Sequence, residues 1–159
     1  MTSEGGSQRP GENASGWLEG ENHIFPVRVY YEDSDAVGIV YHANYIKFAE
    51  RARSELCRLL GIDQRAMREK DGIVFAVREL AADYRAPARL DDLLQVRSRL
   101  TALSGASLWA RQIIEREGSM LVGLDVKLVC LRTADGRPTR LPADVRAIFA
   151  SITQNRRNS

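Results

Sequence analysis

The hydrophobic patterning predicts an α+β domain with a mostly antiparallel sheet. Two observations carry that fold class. The elements run strand, helix, then four strands joined by short connections, which is the order of an antiparallel α+β domain. The helix is also apolar over a broad arc, as a helix is when a sheet wraps around it. The 159 residues, 44% hydrophobic and 28% charged, suffice for one domain with a real core. No internal repeat and no second domain is visible.

Each element follows from its residues. Residues 1–22 are rich in Gly, Ser, Glu and Asn and hold no apolar run of the signal-peptide kind, so a disordered leader is expected there. Val27-Arg28-Val29-Tyr30-Tyr31-Glu32 alternates and is rich in strand formers, which predicts the first strand. Tyr45, Ala49, Ala52, Leu56 and Leu59 then recur at spacings of four and three, with Ile46, Phe48 and Leu60 widening the face. That spacing predicts a helix from about 42–44 to 60, stopped by Gly61.

A connecting turn over Asp63–Asp71 leads into strands over 72–85, 92–101, 106–117 and 120–131. In the second of these, Leu94, Val96 and Leu100 alternate with Gln95, Arg97, Arg99 and Thr101. In the last, Met120, Val122, Leu124, Val126, Leu128 and Cys130 form an unbroken apolar face. "TADGRP" is a turn, and Leu141–Phe149 is expected to be a short helix with Pro142 near its first position. The domain is expected over 23–150, with a flexible tail over 151–159.

Composition excludes several function classes. A net charge of +2 with no dominant Lys/Arg block argues against nucleic acid. Cys57 and Cys130 sit among apolar residues, far apart, and read as buried reduced thiols of a cytoplasmic protein. With two cysteines and two histidines, a zinc site of the usual kind is not expected, nor is any other metal. The most apolar run, "MLVGLDVKLVCL", is short and broken by Asp125 and Lys127, so no transmembrane span is expected.

The chemistry is concentrated in "YYEDSDAVGIVYHANY", residues 30–45. Its middle follows neither strand nor helix periodicity. Asp33, Asp35 and His42 could simply cap the helix and form turns. The spacing offers more. Asp35 and His42 are seven residues apart with Gly38 between them, and the helix follows at once. A carboxylate then lies beside backbone N–H groups that have no intrahelical partner. Such groups polarise a carbonyl and hold a developing oxyanion, while the carboxylate attacks it or activates a water. The arrangement suits acyl transfer and needs no metal.

"YYEDSDAVGIVYHANYIKFAERARSE" resembles the signature of the 4-hydroxybenzoyl-CoA thioesterase family, nearest its YbgC-type acyl-CoA thioesterases associated with the Tol–Pal system. "DYRAPARLDDLLQV" resembles the family's third region, and the resemblance spans roughly residues 25–150. It implies the hot-dog fold, an antiparallel five-stranded sheet wrapped around a long central helix. It also implies hydrolysis of acyl-CoA to a carboxylic acid and free CoA, with no cofactor, CoA being part of the substrate. The family motif puts the catalytic carboxylate on Asp35. Its histidine falls on His42, whose backbone N–H would be the oxyanion donor and whose imidazole would position substrate or water. Relatives often carry Gly where this chain has Val37, and residues 1–22 lie outside the resemblance.

Around that pair, Gly38 is expected to shape the backbone near the thioester, and Tyr41 and Asn44 to line the acyl site. CoA phosphates want Arg near the pocket mouth. Arg137 and Arg140 of "DGRPTRLP" match a basic stretch in relatives, and Arg85 and Arg89 are further candidates. Glu50 and Glu55, beside Arg51, Arg53 and Arg58, read as ion pairs on a solvated face, although a sister group places its carboxylate on the central helix. The resemblance further implies a homo-oligomer, a dimer or a dimer of dimers giving a homotetramer, with acyl carrier protein as another acyl donor. The rival readings are a hot-dog hydratase or dehydratase, and a non-enzymatic carrier-protein or envelope-complex binding module.

Overall fold

The computed structural model of the chain describes residues 14–153. Its elements are β1 (Trp17–Glu19), β2 (Asn22–Arg28), α1 (His42–Leu59), α2 (Gln64–Ala66), β3 (Ile73–Tyr84), β4 (Leu93–Leu103), β5 (Ser107–Arg116), β6 (Ser119–Arg132) and α3 (Ala143–Ile152). The strands form one sheet in the order β1-β2-β4-β5-β6-β3, and every neighbouring pair is antiparallel. β1 and β3 are therefore the edges.

The apolar stripe of α1 meets the sheet where the alternation of the strands turns apolar residues inward. Tyr45, Phe48, Ala49 and Ala52 pack with Val27, Leu94, Val96, Ile114 and Leu124, and Phe48, Ala49 and Ala52 are completely buried. Burying one side chain the size of Phe48 contributes roughly 1.5–3 kcal/mol, so this seam sets where α1 lies. A second cluster, with Cys57, Met67, Leu100, Leu108, Cys130 and Phe149, continues the core toward α3. Both cysteines are buried and free, and burial pushes both thiols above their ordinary pKa.

Three expectations need correction. The sheet has six strands, not five. The extra one is β1, which lies inside the expected leader and pairs with β2 through the Gly20 turn, where φ is +61°. Its three residues, Trp-Leu-Glu, were hidden by the polar composition around them. The rest of the leader, 1–13, and the tail from 154 onward lie outside the described residues, and Ser151 and Ile152 belong to α3.

The first long strand is also shifted. β2 ends at Arg28, and Tyr31–Asp33 forms a single 3-10 turn instead of extending the strand. Tyr30 and Tyr31 are strand formers by type but have no sheet partner there, because β4 begins at Leu93, opposite Arg28. Asp33 curls the chain instead, its carboxylate accepting from the Tyr30 N–H at 2.8 Å. Finally, the short helix expected over Leu141–Phe149 runs instead from Ala143 to Ile152, with Pro142 as its N-cap, next to the first helical position as expected. The strands β3 to β6 and helix α1 lie within a few residues of their expected spans.

Candidate active site

The segment from Tyr31 to Tyr41 folds back on itself. The Tyr41 N–H donates to the Asp33 carbonyl at 2.9 Å, and the Asp35 N–H donates to the Ile39 carbonyl at 2.8 Å. Ser34 and Val40 bridge between them. At the tip the Gly38 N–H donates to the Asp35 carbonyl at 3.1 Å, with φ at +83°. Nothing lies within 4 Å of where a Gly38 Cβ would be, so the turn needs glycine for its backbone conformation and not for space. The loop is tied to the chain between β3 and β4: the Val40 N–H donates to the Ala88 carbonyl at 2.9 Å, and Ile39 bridges to Arg89.

The two aspartates have different surroundings. Asp33 is buried, and both its oxygens are used: Oδ2 accepts from the Tyr30 N–H, and Oδ1 accepts from Asn44 Nδ2 at 2.9 Å. Asp33 thus fastens the entry of the loop to the first turn of α1. Asp35 is only partly buried. Its Oδ1 accepts from the Val37 N–H at 2.8 Å and the Ile39 N–H at 3.4 Å, and Oδ2 has no partner among the described residues. One oxygen is held by the turn, and the other is available for chemistry.

α1 begins at His42, with Tyr41 as its N-cap. No side chain caps this end, and the first turn contains no acidic residue. The Asn44 N–H is satisfied by the Tyr41 carbonyl, whereas the His42 and Ala43 N–H groups have no acceptor among the described residues. An uncapped helix N-terminus presents its amides and the positive end of its dipole outward, which favours an incoming oxyanion.

Aromatic side chains build the wall beside it. The His42 ring lies 4.5 Å from the Tyr41 ring and 6.3 Å, edge-on, from the Tyr84 ring. The Tyr84 hydroxyl donates to the His42 carbonyl at 2.9 Å, so the edge strand β3 grips the start of α1. Tyr45 is core, with its hydroxyl accepting from the Ala88 N–H at 2.9 Å, and burial raises its pKa. On the far side of the 86–92 segment, burial pushes the Asp92 carboxyl up. Hydrogen bonds from the Arg89 amide and the Arg116 guanidinium outweigh that and hold it below the usual carboxylate value.

The structure brings Asp35, Gly38, Tyr41, His42 and Asn44 together on one loop and helix start. Asn44 is buried with its amide turned to Asp33. Arg137 and Arg140 lie elsewhere. The Arg137 carbonyl accepts from the Arg132 N–H at the end of β6, and the Arg140 guanidinium lies over Gly105. Arg132 pairs with Ile73, while Tyr84, which touches the start of α1, lies eleven residues further along β3, about 35 Å away. Tyr84 falls inside the strand expected over 72–85, and the sequence assigns it no role at the site. Its neighbours in "DYRAP" were the only local signal, because its contact with His42 spans 42 positions. Among the described residues no group of three or more His, Cys, Asp or Glu is placed to hold a metal ion.

The profile of the Thioesterase superfamily matches residues 37–122. Acyl-CoA thioesterase YbgC of Haemophilus influenzae is 43% identical over 125 residues, covering 79% of this chain and 92% of that protein. The chain belongs to the thioesterase superfamily. This YbgC-like thioesterase is also 41% identical over 126 residues to the acyl-CoA thioester hydrolase YbgC of Escherichia coli O6:H1, with coverages of 79% and 93%. A crystal structure of a probable thioesterase from Bartonella henselae superposes on it with a TM-score of 0.73 at 37% identity, covering 76% of this chain and 99% of that one. The antiparallel sheet packed on α1 is the hot-dog fold of these enzymes. Among the described residues no helix of this thioesterase is long and apolar enough to cross a membrane.

Proposed function

We propose that the chain hydrolyses acyl-CoA thioesters at the junction of the 33–41 loop and α1. The thioester carbonyl oxygen rests on the free His42 and Ala43 N–H groups. Asp35 Oδ2 either attacks the carbonyl carbon or takes a proton from the water that does. The C–S bond breaks, the CoA sulfur leaves and takes up a proton, and the oxygen gained by the acyl group comes from water. The observation that carries this reading is the pairing of one unsatisfied carboxylate oxygen with an uncapped helix start. The names of the YbgC relatives supply the substrate class. Nucleophilic and general-base roles for Asp35 need the same atom in the same place. No cofactor enters the scheme, and a cytoplasmic location goes with an acyl-CoA substrate. A thioester on acyl carrier protein presents the same reacting atoms and is a second acyl donor.

The working unit in this reading is at least a dimer. β3 is a twelve-residue edge strand with Val77 47% and Tyr84 45% exposed, and a long open edge is a template for pairing. Two-fold antiparallel pairing of β3 with its copy sets the Tyr84 end of one subunit beside the Ile73 end of the other. The partner's Arg137 and Arg140 then come toward His42 and could take the CoA phosphates. Within one chain they are too distant to do so. Two such dimers make the tetramer.

Thiol release from a panel of acyl-CoAs, acetyl to palmitoyl plus benzoyl, tests the reaction class. Free CoA is expected from at least one acyl class. Water addition to an enoyl-CoA without thiol release would make the chain a hydratase. Tight carrier-protein binding with no turnover on any thioester would make it a binding module.

A further inference from the structure

We infer that Tyr84 is a positioning residue of the reaction: its hydroxyl holds and polarises the His42–Ala43 peptide, whose N–H is one of the two that receive the thioester oxygen. The inference rests on the proposed hydrolysis at the start of α1. The Tyr84 hydroxyl donates to the His42 carbonyl at 2.9 Å. That carbonyl and the Ala43 N–H belong to one planar peptide unit, joined through a C–N bond of partial double-bond character. The Ala43 N–H has no acceptor among the described residues. A donor at one end of the unit therefore acts on the free N–H at the other.

Two effects follow. In a regular α-helix the His42 carbonyl also accepts from the N–H four residues on, that of Ile46. A carbonyl oxygen has two lone pairs, and the Tyr84 hydroxyl takes the second. Two donors draw electron density toward the oxygen, leave the peptide nitrogen more positive and make its N–H a stronger donor. The hydroxyl also fixes the plane of the peptide, and so the direction in which the Ala43 N–H points. A solvent water could occupy the same lone pair, but it would have to reorient as charge develops. A donor held by the protein is already in place.

The phenol is carried on a rigid frame. Tyr84 pairs with Val122 of β6, which is fully buried, and the Arg85 and Ala86 N–H groups both donate to the Leu121 carbonyl, at 2.8 and 3.2 Å. The Tyr84 ring meets the His42 ring edge-on at 6.3 Å and the Tyr45 ring at 5.8 Å. Tyr45 is itself buried, and its hydroxyl accepts from the Ala88 N–H. Packing places the ring, and the hydroxyl alone reaches the peptide. Tyr84→Phe keeps the first and removes the second.

Thiol release by the full chain, wild type beside Tyr84→Phe, on the acyl-CoA that the wild type cleaves best, reads the hydroxyl. Losing a whole oxyanion donor costs roughly 100- to 1000-fold in kcat. Polarisation changes the strength of one hydrogen bond by about 10–30%. That fraction of the loss, taken on the logarithmic scale, is roughly two- to eightfold, and kcat should fall by that much with KM unchanged. A tyrosine with one fluorine ortho to the hydroxyl, in place of Tyr84, is a stronger donor of nearly the same shape. It should raise kcat above the wild type at a pH where the phenol stays protonated, which a merely structural role would not do. Thermal unfolding confirms that each protein is folded, and if Tyr84→Phe is not, the fluorotyrosine comparison decides alone. Equal kcat in wild type and Tyr84→Phe, or a fluorotyrosine kcat no higher than wild type, would overturn the inference. So would a rise in KM at constant kcat, which would put the hydroxyl on the substrate instead. No thiol release by the wild type on any acyl-CoA would overturn the proposed hydrolysis and this inference with it.

Discussion

Asp33 and Asp35 are two positions apart, and their surroundings divide the work between them. Asp33 is buried with both oxygens hydrogen-bonded; Asp35 keeps one oxygen open. Asp33→Ala strands the Tyr30 N–H and the Asn44 amide, so it should lower stability by about 1–3 kcal/mol. Asp35→Asn should lower it by less than half as much, and denaturant unfolding of the two variants checks this. His42→Ala removes the imidazole but keeps the backbone N–H. Its kcat should fall roughly tenfold or less, against at least ~100-fold for Asp35→Asn. A larger loss in His42→Ala would move the oxyanion role to the imidazole. At this scale the sequence was informative where chemistry is local: Asp35, Gly38, Tyr41 and His42 share one loop. Tyr84 was not legible because its contact with His42 is made between distant strand and helix positions. Asn44 lay in the motif, but its partner Asp33 appears only once the loop closes.

At the scale of elements, the loop depends on Gly38 at φ +83°. Gly38→Ala forces a side chain into a backbone region costing roughly 1–2 kcal/mol, and the tip should relax away from the Asp35 carbonyl. kcat/KM is expected to fall by about tenfold or more, corresponding to that energy, with little change in the far-UV spectrum. Helix α1 and strands β3 to β6 were readable because each buries one face, and burial writes its period into the residues. The N-terminal hairpin was not. β1 has three residues, too few for a period to develop. Tyr30 and Tyr31 carried strand propensity past the end of the available ladder, where a hydrogen bond from Tyr30 to Asp33 prevailed over intrinsic preference.

Across the whole molecule, one buried histidine gives stability a pH dependence. His23 is fully buried on β2, its Nε2 lies 2.6 Å from the Ser15 carbonyl, and Nδ1 has no partner among the described residues. Burial lowers its pKa from 6.5, against the Ser15 carbonyl and the Glu55 charge, which both raise it. The unfolded chain therefore binds a proton that the folded chain refuses in the window just below 6.5. Stability should be fully present above that pH and decline as pH falls through it. Unfolding free energies measured from pH 7.5 to 5 check this, and His23→Leu should flatten the profile. The antiparallel arrangement was legible at this scale from the order of elements and the short connections. The distance between Arg137 and His42 was not, because position along a sheet depends on strand register, which no local motif encodes.

The account turns on Asp35, and the most direct measurement compares wild type and Asp35→Asn for CoA-thiol release from the same acyl-CoA, with both proteins shown to be folded by thermal unfolding. The expected result is release by the wild type and a loss of at least ~100-fold in kcat in the variant. Equal release by both proteins would contradict the mechanism and place the reacting carboxylate elsewhere.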